Sequence, residues 1–130
     1  MMKIHIRFLI SLFALILISS CETKVKSNID KMIVKGKIEG LRKGKLYLQK
    51  IEDTLLVNID STVVKGTPNF SFETPIKTAE IFYLYLEKED GDSLNDRILF
   101  FGEKGTIEIN TLLKTFDSSA KIKGSKNQEL

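Results

Sequence analysis

The stretch that decides the fold is Val34-Lys35-Gly36-Lys37-Ile38-Glu39-Gly40-Leu41-Arg42-Lys43-Gly44-Lys45-Leu46-Tyr47-Leu48-Gln49. Val34, Gly36 and Ile38 alternate with Lys35, Lys37 and Glu39. After the glycine-bounded break at residues 40–44, Leu46 and Leu48 alternate with Lys45, Tyr47 and Gln49. Side chains in an extended chain point to opposite sides in turn, so period two marks strands with one buried face. The glycines on either side of the break supply the turn between the two strands.

The same rhythm continues outward. Leu55, Val57 and Ile59 alternate with Leu56, Asn58 and Asp60; Phe70 and Phe72 with Ser71 and Glu73; Ile107 and Ile109 flank Glu108, and Ile122 lies between Lys121 and Lys123. Turn chemistry separates the runs at Glu52-Asp53-Thr54 and at Lys65-Gly66-Thr67-Pro68-Asn69, and Gly102-Glu103-Lys104-Gly105 reads as a tight hairpin. Thr111 to Phe116 invites a helical turn. Roughly eight short strands with turns every 8–12 residues predict an all-β fold, an antiparallel sandwich or a flattened barrel.

Two runs, Ile81-Phe82-Tyr83-Leu84-Tyr85-Leu86 and Ile98-Leu99-Phe100-Phe101, are apolar at odd and even positions alike. The favoured reading is central strands covered on both sides. The alternative is that Tyr83, Tyr85, Leu99 and Phe101 form an exposed patch for a partner. Between the runs, Glu87 to Asp96 carries the chain's one acidic cluster. Its carboxylates suit a hard cation in type, but the spacing departs from an EF-hand loop, and a solvated hairpin accounts for them equally well.

The N-terminus follows a different logic. Lys3 and Arg7 precede Phe8 to Ile18, in which Ser11 alone is not apolar. Eleven helical residues rise about 16 Å, half a bilayer core, which suits a signal peptide rather than a membrane span. Ile18-Ser19-Ser20-Cys21 then has the form of a bacterial lipobox, with Cys21, the sole cysteine, as the lipidation site. The organisation expected is a signal peptide over residues 1–20, a lipidated tether over 21–30, a β domain over 31–126 and a C-terminal stub over 127–130. Several acyl chains on one cysteine would anchor the protein firmly to a membrane.

Cleavage before Cys21 leaves 110 residues and removes Lys3, His5 and Arg7, so 18 basic residues face 17 acidic ones. A net charge of +1 gives no support for a nucleic-acid role. Without histidine there is no Ser-His-Asp or Cys-His catalysis and no His-based zinc site, and a lipidated Cys21 leaves no free thiol. No phosphate-cradling glycine loop is present. The expectation is a non-enzymatic protein without metal or cofactor.

Taken together, Lys35-Gly36-Lys37-Ile38-Glu39-Gly40 with Gly44-Lys45-Leu46-Tyr47-Leu48, Asp60-Ser61-Thr62-Val63 with Asn69-Phe70-Ser71-Phe72, and Gly105-Thr106-Ile107-Glu108-Ile109 with Ile122-Lys123-Gly124-Ser125 resemble a known family. It is a β-rich domain of unknown function in envelope lipoproteins of Gram-negative bacteria, commonly N-terminal to a thioredoxin-like domain of the TlpA/AhpC type. The first two segments look like its opening hairpin. The resemblance implies a location and an architecture, and it transfers no catalytic residue. Three functions are consistent with it. The first is a non-catalytic lipid-anchored interaction or spacer module, favoured at the outer membrane because Glu22, not Asp, follows Cys21, and at its periplasmic face because no run of acidic residues comes after Cys21. The second is the N-terminal part of a truncated thiol-disulfide lipoprotein, with a thioredoxin-like or other envelope protein as partner. The third is a small-ligand binder using Tyr47, Tyr83, Tyr85 and Phe101 in a sandwich cleft.

Overall fold

The computed structural model describes residues 30–88 and 96–127. The described chain is all-β, with eight strands in two four-stranded sheets and one 3-10 turn at Leu113–Thr115. The first sheet has the order β4 (Asn69–Pro75), β1 (Lys31–Glu39), β7 (Gly105–Leu112), β8 (Lys121–Lys123). The second has the order β3 (Leu55–Lys65), β2 (Lys43–Glu52), β5 (Glu80–Glu87), β6 (Arg97–Gly102). The sheets pack as a sandwich and do not close into a barrel. Pairing is antiparallel except between β1 and β7, which run parallel from Met32↔Gly105 to Glu39↔Leu112.

The alternation seen in the sequence builds the core directly. Met32, Val34 and Ile38 of β1, Phe70 and Phe72 of β4, and Ile107 and Ile109 of β7 line the inner face of the first sheet. Across from them lie Leu46 and Leu48 of β2, Phe82, Leu84 and Leu86 of β5, and Ile98 and Phe100 of β6. Phe82 and Phe100 stack with centroids 5.8 Å apart. Phe116, just past the 3-10 turn, caps this core and is 1% exposed.

Two connections read as hairpins are corners between sheets. β1 and β2 lie in different sheets, as do β6 and β7, so neither Gly40–Gly44 nor Gly102–Gly105 closes a hairpin. At the first corner Leu41 is buried, donating its N–H to the Ile38 carbonyl, and its side chain fills the gap between the layers, a place no hairpin tip reaches. At the second corner the position of a Gly102 side chain is taken by Phe82 and Met32. β2 and β3 do form a hairpin, through Asp53 (φ +47) and Thr54 (φ +80), the positive pair of a type I′ turn.

β3 contains a bulge. Leu48 pairs with Asp60 and Gln49 with Asn58, leaving Ile59 between them unpaired and packed on the core. The alternation Val57, Ile59 therefore changes parity, and beyond the bulge Val64 faces inward while Val63 is 66% exposed. The adjacent polar pair Asp60-Ser61, both exposed, marks the change.

Candidate functional site: the outer face of the second sheet

The two outer faces differ in kind. On the first sheet the outward residues are mainly polar, Lys31, Lys35 and Lys37, Ser71 and Glu73, Glu108 and Asn110, with Lys121 and Lys123 at the edge, joined by half-buried Ile33 and exposed Leu112. Lys31 and Glu73 form an ion pair at 2.9 Å. This is an ordinary solvated surface.

The second sheet presents something else. Register places Lys45, Tyr47, Gln49 and Ile51 of β2 beside Val63, Ser61, Asn58 and Leu56 of β3 on one side. On the other side lie Glu87, Tyr85, Tyr83 and Ile81 of β5, followed by Arg97, Leu99 and Phe101 of β6. Among the described residues, the exposed large hydrophobic ones are Ile51, Leu55, Leu56, Val63, Ile81, Leu99 and Leu112. Five of these seven stand on this one face. Ile81 and Leu99, at 45% and 46% exposure, show that β5 and β6 are not covered on both sides. They are apolar twice over because one set of side chains makes the core and the other makes a surface.

A row of interacting side chains crosses this face. The Lys45 ammonium lies 5.0 Å from the Tyr47 ring centre, Tyr47 stacks on Tyr85 with centroids 5.6 Å apart at 24°, and the Arg97 guanidinium lies 4.4 Å from the Tyr85 ring. Tyr47 Oη donates to Glu87 Oε2 at 2.8 Å. Arg97 Nε donates to Gln49 Oε1 at 3.2 Å, and Gln49 Nε2 to Asn58 Oδ1 at 2.7 Å, so Gln49 is buried with its amide used at both ends. Each cation–π contact at such a site contributes about 0.5–1 kcal/mol. The row holds the rings in place before any partner arrives, which lowers the entropy cost of binding.

Tyr83, Tyr85, Leu99 and Phe101 are brought together here, Tyr83 directly opposite Leu99 and Phe101 opposite Ile81. Tyr47 joins them from β2. These rings lie on an open sheet face and not in a cleft between the sheets. The alternation in the sequence did not reveal Lys45, Arg97, Gln49, Ile51, Leu56, Val63 and Ile81 as members; the signal available was the outward set of β2, once β2 is known to neighbour β5.

Other features lie at one end of this face or away from it. A groove of about 660 Å³ opens on the first sheet between Lys37, Asn110, Leu112 and Ser118–Lys121, and smaller ones of about 360 and 290 Å³ lie beside Lys43 and Lys88 and beside Lys77 and Lys104. Lys88 and Asp96, at the two roots of the β5–β6 connection, form an ion pair at 3.2 Å, with the Asp96 side chain 2% exposed. Most of the acidic cluster, residues 89–95, lies outside the described residues, as do the signal peptide, Cys21 and the tether up to residue 29. Lys50 sits between Glu52 (3.0 Å) and Glu80 (3.8 Å), and its hydrogen bond to Glu52 is the main cause holding its ammonium above the usual lysine range. Among the described residues no group of three or more His, Cys, Asp or Glu converges as a metal site, and no helix is long and apolar enough to cross a membrane.

The family model described as Domain of unknown function (DUF4369) matches residues 32–130, the span that holds both sheets. The chain belongs to this family. The DUF4369 match begins one residue into β1 and includes every residue of the aromatic face. Neither the curated proteins nor the solved structures contain a match to the chain.

Proposed function

We propose that this DUF4369 chain is a lipid-anchored interaction module of the bacterial envelope, held by Cys21 at the periplasmic face of the outer membrane and working through the outer face of its second sheet. The observation that carries the reading is the concentration of five exposed aliphatic residues and an ordered Lys45–Tyr47–Tyr85–Arg97 row on one sheet face, opposite a sheet whose outer face is mainly polar. Large apolar patches on soluble domains mark surfaces that a partner covers, and Tyr and Arg are the residues that dominate such contacts. The anchor is supported by the basic start, the apolar run of residues 8–18 and Ile18-Ser19-Ser20-Cys21. The role needs no acid–base pair or nucleophile, in keeping with a mature chain that has no histidine.

The test has two parts. Cells expressing the chain are fed a clickable fatty acid: the wild type is expected to label and Cys21→Ser to remain unlabelled, and a labelled Cys21→Ser chain would refute the anchor. Leu99→Asp and Tyr85→Ala variants are then compared with wild type by cross-linking in intact cells. Loss of a defined adduct with an unchanged thermal melt is expected; unchanged adducts would refute the face.

A further inference from the structure

Row by row, the outer face of the second sheet turns apolar toward one end. The last outward row there crosses all four strands without a polar side chain. Leu56 pairs with Ile51 and Ile81 with Phe101, and Ile81 precedes Phe82, the partner of Lys50, so it stands beside Ile51. The neighbouring row adds Tyr83 opposite Leu99. Ile51, Leu56, Ile81 and Leu99 are all exposed. This is also the end at which the chain enters β1. Ile76, in the short connection from β4 to β5, donates its N–H to the Asp30 carbonyl at 3.0 Å. Lys104, in the corner between β6 and β7, pairs with the Asp30 carboxylate at 2.7 Å. Ile81 lies just past that connection and Phe101 just before that corner, so the apolar row and the root of the tether share one end of the sandwich.

We propose that this apolar row docks on the phospholipid surface that holds Cys21, as a second contact beside the lipid anchor. The proposal rests on the anchor reading above and names what covers the tether end of the face. The nine chain steps from Cys21 to Asp30 span at most about 30 Å, the length of nine-residue β1. The near end of the domain is therefore held close to the bilayer, whereas the far end reaches it only with the tether stretched along the whole sandwich. A tethered contact is intramolecular, so a modest apolar area is enough to populate it. Apolar side chains of surface-bound proteins enter about 5–10 Å, to the boundary of headgroups and acyl chains, and tyrosine rings sit at headgroup level. The four-strand row with Leu99 supplies the first, and Tyr83 the second. These side chains leave the sheet at right angles to the strands, so the domain leans on this face and Asp53, at the turn, stays among the headgroups. The Tyr47–Tyr85 row lies about 13 Å farther along the strands and is left open to a protein partner. Charge does not direct the contact. Among the described residues at this end Lys31 pairs with Glu73, Lys104 with Asp30, and Lys50 with Glu52 and Glu80, so an uncharged lipid surface serves as well as an anionic one.

The chain has no tryptophan, so Ile51→Trp and Val63→Trp each introduce one reporter, at opposite ends of the same face and at similar exposure, 55% and 66%. The lipidated chain, purified from cells, is incorporated into phosphatidylcholine vesicles whose acyl chains are brominated near the headgroup. Folding is checked by thermal melt, and Leu56→Trp, in the same row, replaces Ile51→Trp where that variant melts early. Emission from position 51 is expected to fall about twofold or more relative to vesicles without bromine, in low and high salt alike, while emission from position 63 stays unchanged. An unquenched position 51 in a chain that floats with the vesicles would overturn the docking and leave the anchor standing. A blue shift there without quenching would do the same, because it marks cover by protein. Quenching that vanishes in high salt would overturn the apolar contact. A chain that does not float with the vesicles would overturn the anchor and the docking together.

Discussion

The sharpest quantitative expectation concerns Gly36, in the middle of β1 between β4 and β7. A Cβ built there would lie 1.7 Å from the carbonyl oxygen of Ile109, and 2.6 Å from its carbonyl carbon. Real Cβ atoms do not approach other heavy atoms within 3.0 Å, so Gly36→Ala requires β1 and β7 to separate by more than 1 Å. The obstacle is backbone in a central strand pair, which no rotamer change relieves. The strands are joined over eight residue pairs, and a displacement of this size at the centre breaks roughly three hydrogen bonds, each with a net contribution of about 1 kcal/mol. It also opens the core under Val34 and Ile107. The expected cost is roughly 3–4 kcal/mol, a large part of the 5–15 kcal/mol typical of a domain. Gly66→Ala is the control: φ is +84 but nothing lies within 4 Å, so only backbone strain of about 1 kcal/mol applies. Urea unfolding followed by far-UV circular dichroism compares the two with wild type. A Gly36→Ala chain within 0.5 kcal/mol of wild type, or no worse than Gly66→Ala, would refute the close approach of β1 and β7.

Three further expectations follow from the structure. Thr54 holds φ +80 in the type I′ turn of the β2–β3 hairpin, a conformation costly for a β-branched residue; Thr54→Gly should raise stability by about 1 kcal/mol, seen as a melting temperature higher by roughly 5 °C. Asp96→Ala removes the carboxylate that meets Lys88, whose side chain is 19% exposed; the orphaned ammonium should cost about 3 kcal/mol in urea unfolding, and restoring an apolar pair with Lys88→Met in the same chain should recover much of it. Lys50, raised by Glu52 and Glu80, contributes stability that is complete below the unfolded lysine value near 10.4 and is lost as pH rises through its higher folded value. Between pH 9 and 11.5 the wild type should therefore lose about 0.5 kcal/mol more than Lys50→Met, and equal losses would refute the pairing.

The strands were legible because period-two alternation is a local property: a residue's side depends only on its neighbours in the chain. Val34 and Ile38, Leu46 and Leu48, and Phe70 and Phe72 are buried as their spacing requires. Which strands pair is decided at long range, and there local signals misled. Gly40–Gly44 and Gly102–Gly105 carry hairpin chemistry, yet both turn corners between sheets, because burying Leu41 between the layers, and packing Phe82 and Met32 against Gly102, outweighs pairing consecutive strands. The bulge at Ile59 was hidden for a related reason. One extra residue converts a mismatch between the chain's pattern and its partner's into a fit, and only the partner, β2, reveals the mismatch.

The candidate site shows the same divide in a more consequential form. Ile81–Leu86 and Ile98–Phe101 announce two apolar sides, but a pattern within one strand cannot say whether the second side meets another layer or water. Here it meets water at Ile81 and Leu99. The fold itself does not require this. The core is complete without these outward side chains, and polar β-formers such as threonine would keep the strands while making the surface more soluble. The adjoining polar groups are also more ordered than a solvated surface needs: Gln49 is buried between Asn58 and Arg97, and Arg97 is set on the Tyr85 ring. An exposed apolar centre and rings locked by cations on both sides are two costs to an isolated domain, each offset once the face is covered.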